Sequence, residues 1–164
     1  RLNVRRMDME NKYNVRIMRN EIRNIKNVEY CNVTYMNNGS INKNAICDKT
    51  DIIGIYGQNG SGKTALVEAL DILRQILTGS PINYDMYEGI LSKEGQSSIM
   101  VEFFVRIAEK KYKVSYQVAL KVDEKEKAIQ IYSEELYYWK RGSSWKSERD
   151  IAFCNPYYGK TDIL

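Results

Sequence analysis

The sequence predicts an α/β fold in which one long helix backs a sheet and an antiparallel β-sheet insertion follows that helix. Three observations predict it. Residues 51–56 (Asp-Ile-Ile-Gly-Ile-Tyr) form a short, almost unbroken apolar run, the pattern of a strand buried on both faces. Over residues 65–77, Leu66, Leu70, Leu73 and Leu77 recur at spacings of four, three and four, so they share one helix face. Ala69, Ile72 and Ile76 widen that face. Residues 99–107 and 111–122 alternate apolar with polar side chains, as in a half-buried antiparallel hairpin.

The remaining elements follow in chain order. Residues 1–12 are polar and predict a disordered or non-native leader. Val15-Arg16-Ile17 opens a strand pattern that continues over 21–28 and again over 33–36, before the turn signal Asn37-Asn38-Gly39-Ser40. This is a β-meander leading into the strand at 52. Thr78-Gly79-Ser80-Pro81 stops the helix, with Gly79 as its cap and a proline beyond. Residues 82–96 read as a loop with a short helical turn around 84–90. Ile99, Val101, Phe103, Val105 and Ile107 then share one strand face, against Met100, Glu102, Phe104 and Arg106 on the other. Ala108-Glu109-Lys110 connects to the second strand of the hairpin. A charged tip at 123–127, strands at 128–131 and 135–140, a turn at 141–144 and a last short strand at Trp145–Phe153 complete the pattern. Residues 13–81 and 82–164 are expected to be two parts of one lobe.

Composition narrows the chemistry. Apolar residues make up 43% of the 164, enough for a core. No stretch reaches the roughly 18 consecutive apolar residues of a membrane span, and a cytoplasmic location is the expectation. The chain has no histidine, and Cys31, Cys47 and Cys154 are scattered, which argues against a Cys/His zinc site and excludes His-dependent nucleophilic catalysis. The net charge of +4 is concentrated in residues 1–26, with Arg1, Arg5, Arg6, Lys12, Arg16, Arg19, Arg23 and Lys26. Such a cluster suits nucleic-acid phosphates; a solvated leader is the plainer reading.

One motif carries chemistry. Gly57-Gln58-Asn59-Gly60-Ser61-Gly62-Lys63-Thr64 matches G-x-x-x-x-G-K-[ST] in full, between the apolar run and the helix. Glycines allow backbone N–H groups to turn inward around a pyrophosphate. Lys63 supplies a positive charge for the β and γ phosphates, and the Thr64 hydroxyl is a Mg²⁺ ligand. The helix N-terminus adds unpaired N–H groups and a favourable dipole. Nucleotide binding is therefore expected, with Thr64 as the metal-ligating residue. Two other features attract attention and read more simply. Tyr137-Tyr138-Trp139 suits base stacking but also ordinary cross-strand packing. Glu134-Glu135 point to opposite strand faces, so they do not converge and belong to a solvated surface.

The form Gly57-x-Asn59-Gly60-Ser61-Gly62-Lys63-Thr64 resembles the loop of ABC-type ATPase heads of the SMC/RecF/OLD branch and of bacterial AAA family ATP-binding proteins. Asn24-Ile25-Lys26-Asn27-Val28 resembles that branch's N-terminal N-F-[KR]-[NS]-[IV] element, and Ala65-Leu66-Val67-Glu68-Ala69-Leu70 is similar to the run after its loop. The resemblance implies a P-loop NTPase lobe that uses ATP and Mg²⁺, with Lys26 and Asn27 approaching the nucleotide. It also implies a homodimer with ATP sandwiched between protomers, and work in DNA or RNA transactions or phage defence. A signature motif of the Leu-Ser-Gly-Gly type is not found, and no hydrophobic strand is expected to end in the Asp-Glu of a Walker B motif. Gln96 is expected to be a surface residue rather than a γ-phosphate sensor. The chain is accordingly expected to be the N-terminal portion of a longer ATPase, on its own binding ATP weakly or not at all and inactive in hydrolysis. A P-loop nucleotide or small-molecule kinase is the alternative enzyme, although a lid segment rich in arginine is missing after the helix. A GTPase would need Asn-Lys-x-Asp, which does not occur. A non-enzymatic interaction module is the remaining alternative.

Overall fold

The computed structural model describes residues 13–36, 54–87, 89–91, 95–140 and 150–155. Its centre is a six-stranded sheet in the order β2-β1-β3-β4-β5-β6. The strands are β1 (Tyr13–Ile25), β2 (Val28–Thr34), β3 (Ser97–Ile107), β4 (Lys110–Asp123), β5 (Ala128–Lys140) and β6 (Asp150–Asn155). Helix α1 (Lys63–Leu77) and the single turn α2 (Tyr84–Tyr87) lie between β2 and β3 in sequence. Every pairing among the described strands is antiparallel. This corrects one expectation: the later strands are no separate insertion. β1 joins the N-terminal hairpin to β3 from Tyr13↔Ile107 to Arg23↔Ser98, so both halves of the chain share one sheet.

The alternating pattern of residues 99–107 and 112–118 assigns the faces as read from sequence. Ile99, Val101 and Val118 are fully buried beneath α1 with Ile22 and Tyr116. The helix contributes Ala65, Leu66, Ala69, Ile72 and Leu73 to that core. Its face is rotated from the leucine stripe, since Leu70 is half-buried and Leu77 is 52% exposed. Leu77 occupies the last turn of the helix. The helix stops as expected. Gly79 takes φ 66, its N–H bonds to Ile76 O, and Ser80 N–H bonds to Gln75 O, the two reciprocal bonds of a Schellman motif.

Two departures from the expected strands have local causes. β1 ends at Ile25 instead of continuing to Val28, because Lys26 takes φ 52 and Lys26-Asn27 form a two-residue hairpin loop. A positive φ at the first loop position is what primed turns require. Between Ile17 and Arg19 the register of β1 against β3 slips, leaving Met18 as an extra residue. The Met18 carbonyl is then free to accept Tyr35 N–H (2.8 Å) and Met36 N–H (3.1 Å), which fastens the end of β2. Arg16, Arg19 and Arg23 belong to β1 rather than to a loose leader. Arg19 and Arg23 both pair with Glu21, at 2.8 and 3.0 Å.

Residues 54–56 correct a further expectation. They are in no strand and are exposed, Tyr56 by 94%. Residues 51–53, the leader 1–12, the turn at 37–40, Trp145 and the turn at 141–144 lie outside the described residues.

Candidate nucleotide site

The loop at 57–62 is shaped by its glycines. Gly60 and Gly62 take φ 83 and 84, the left-handed region that side chains with a Cβ disfavour. At Gly57 a Cβ would lie 2.8 Å from Ser61 Oγ, so a larger residue would have to displace that hydroxyl. Gly62 is the N-cap of α1, with no side-chain cap and no acidic residue in the first turn. Leu66 N–H is the first amide of the helix bonded back along it, to Gly62 O. The amides of residues 63–65 precede it and have no helical acceptor. Unpaired donors and the positive end of the helix dipole thus meet at one point.

That point opens on a hollow of about 250 Å³. From the loop and helix, Asn59, Gly60, Ser61, Gly62, Lys63, Thr64 and Ala65 line it, and from the β1–β2 hairpin Lys26 and Asn27 do so. The structure therefore brings together two segments that sequence pointed to separately. Gly57 and Gln58, expected among the binding residues, are not on its wall. Their carbonyls accept from Lys63 Nζ at 2.7 and 2.6 Å, and Ser61 Oγ lies 3.2 Å from the same ammonium. Thr64 sits exposed in the first turn of α1, on the wall of the hollow. A polyphosphate with Mg²⁺ fits this donor set: a glycine cradle, helix amides, two ammonium groups and a hydroxyl. Bound there, Mg²⁺ would neutralise phosphate charge.

The hairpin is held in place by three hydrogen bonds to the segment that leads into β3. Lys26 N–H bonds to Ile90 O at 2.6 Å, Asn24 Nδ2 to Gln96 O at 3.0 Å, and Ser97 Oγ to Asn24 O at 2.6 Å. Gln96 is exposed and contributes its main chain to this clasp, in agreement with its reading as a surface residue. Sequence reasoning did not find the clasp, because it joins residues about 70 positions apart through two positive-φ residues, Asn24 and Lys26.

The other candidates are structural. Glu134 accepts the Tyr116 hydroxyl and Glu135 the Tyr137 hydroxyl (2.7 Å), so these carboxylates are half-buried and paired rather than solvated. The Trp139 ring packs under Lys113 Nζ at 5.3 Å, and Lys113 also pairs with Glu102. One expectation is corrected: β4 does run into an Asp-Glu pair, Asp123-Glu124, but the pair caps a turn, since Asp123 Oδ1 accepts Lys125 and Glu126 N–H. No cluster of metal-ligating side chains occurs among the described residues, where no helix is long and apolar enough to cross a membrane.

A glycine cradle opening onto a helix N-terminus defines a P-loop nucleotide-binding protein. Residues 52–158 match the family model described as "AAA domain, putative AbiEii toxin, Type IV TA system", and the chain belongs to that family. Membership brings the P-loop NTPase fold and a nucleotide-binding, ATPase-like function, in a family whose domains generally use ATP and Mg²⁺. Searches of curated proteins and of solved structures gave no significant match.

Proposed function

We propose that the chain supplies the ATP-binding part of an ABC-type ATPase head of the SMC/RecF/OLD branch. Hydrolysis would depend on Walker B and signature motifs outside this chain, and ATP would be sandwiched in a homodimer. DNA or RNA transactions, or defence against phage, are the biological setting. One observation carries the reading: the hollow at the N-terminus of α1 is walled by the Asn59–Thr64 stretch and also by Lys26 and Asn27, the residues of the N-terminal element that the resemblance assigns to the nucleotide. The exposed apolar residues Ile55 and Tyr56 just before the loop support it too, since they offer an edge on which the rest of an ATPase core can pack.

Phosphoryl transfer relies on positioning and charge stabilisation, which this chain serves through its amides, Lys63 and Thr64. Lys63→Ala removes an ammonium that the loop geometry itself depends on. Titration calorimetry with Mg²⁺-ATP, ADP and GTP on the full-length protein is expected to show binding of the adenine nucleotides by the wild type and at least a tenfold loss in the variant. Equal affinity in both proteins would refute the site.

A further inference from the structure

Two lysines line the hollow, and their ammonium groups are committed differently. The Lys63 ammonium has three donors and three contacts with its own loop, to Gly57 O, Gln58 O and Ser61 Oγ. The Lys26 ammonium makes one contact, to Glu68 Oε1 at 2.6 Å. It therefore keeps donors available for an arriving anion while Lys63 must first release its loop. Glu68 lies on α1 one turn beyond the loop. Its second oxygen, Oε2, is buried and has no hydrogen-bond partner, so the carboxylate is committed to Lys26 alone. The lysine is thereby fixed at both ends. Its main chain is held by the bond to Ile90 O and its tip by Glu68.

We propose that Glu68 is a positioning residue for nucleotide binding, holding Lys26 at the wall of the hollow with donors left for phosphate oxygens. The proposal rests on the nucleotide reading above. Its physical basis is preorganisation: a lysine side chain immobilised before binding loses less freedom when it meets phosphate. Simple charge counting gives the opposite expectation, since a carboxylate near an anion site repels the ligand and its removal should tighten binding. The two accounts differ in sign.

The test measures Mg²⁺-ATP affinity by calorimetry on the full-length protein, for wild type, Lys63→Ala, Lys26→Ala, Glu68→Ala, Glu68→Gln and the Lys26→Ala/Glu68→Ala double variant. Glu68→Ala is expected to weaken binding roughly tenfold, as loss of a preorganised side chain implies. Glu68→Gln, which keeps an acceptor, should lose less and also guards against misfolding of the alanine variant. The double variant should bind no more weakly than Lys26→Ala alone, because Glu68 acts only through that lysine. Unchanged or tighter binding by both Glu68 variants, or additive losses in the double variant, overturns the proposal while Lys63→Ala still loses affinity. Failure of wild type to bind ATP, or of Lys63→Ala to differ from it, overturns the nucleotide reading and this inference with it.

Discussion

At Gly62 a methyl group would lie 2.7 Å from Val28 Cγ2, and the backbone there has φ 84. Gly60 has nearly the same φ, yet nothing stands within 4 Å of its would-be Cβ. The pair separates two reasons for glycine. Gly60→Ala carries only the left-handed strain, about 1–2 kcal/mol for a residue with a Cβ. Gly62→Ala carries that strain and also pushes the loop away from the hairpin that bears Lys26 and Asn27. Thermal denaturation is expected to rank Gly62→Ala as the more harmful, and Val28→Ala in the same chain should return the steric part of the loss. Equal melting temperatures for the two glycine variants would show that the contact with Val28 is immaterial. Both glycines were legible in the motif. Their difference was not, because Val28 is 34 positions away and reaches Gly62 only through the hairpin turn at Lys26-Asn27.

At the scale of elements, α1 and α2 are joined by the half-exposed carboxylate of Asp71. Asp71 accepts the Tyr87 hydroxyl at 2.6 Å, Gln75 Nε2 at 3.1 Å and Arg74 Nη2 at 2.8 Å, and Gln75 also bonds to the Tyr87 oxygen. Tyr87 is 1% exposed. Its bond to Asp71, followed by that of Arg74, holds the aspartate below the usual carboxylate value. Burial, and then Asp71, pushes the Tyr87 hydroxyl up to about 12. The signs follow from linkage. The lowered Asp71 contributes stability above its ordinary value of 3.8 and loses it as pH falls through the lowered one. The raised Tyr87 contributes below its ordinary value of 10.0 and loses its contribution as pH rises toward about 12. Tyr87→Phe is therefore expected to lower the melting temperature by several degrees near neutrality. The gap to wild type should narrow in acid below the ordinary aspartate value and again in alkali above the ordinary tyrosine value. A gap of constant size across the whole range would mean that the hydroxyl contributes packing alone. Helix α1 itself was readable from its periodicity and its Gly79 stop, and the short turn α2 from its place in the loop. Their junction was not, since aspartate and tyrosine at a separation of 16 leave no periodic trace.

At the scale of the molecule, strand alternation told which side chains face the helix but not which strands neighbour one another. β3 and β4 were adjacent by their short connection, whereas the β1–β3 pairing closes a loop of about 70 residues and has no local signal. An apolar run such as 51–56 likewise states a capacity for burial without naming a partner, and its described portion stands in solvent. The resulting sheet order makes a prediction about its dynamics. β3 and β4 have paired neighbours on both sides and lie beneath α1, while β2 has a strand on one side only among the described residues, with Glu29 and Tyr30 exposed. Opening an amide at Val101 or Val118 requires breaking a fully buried layer; opening one in β2 requires only that an edge fray. Native-state hydrogen exchange followed by NMR is expected to find the slowest amides around Ile99–Val101 and Val118–Leu120, approaching global unfolding, with β2 exchanging well before them. If β2 instead proves as protected as β3, its outer edge carries a further strand, and the sheet extends beyond the order β2-β1-β3-β4-β5-β6.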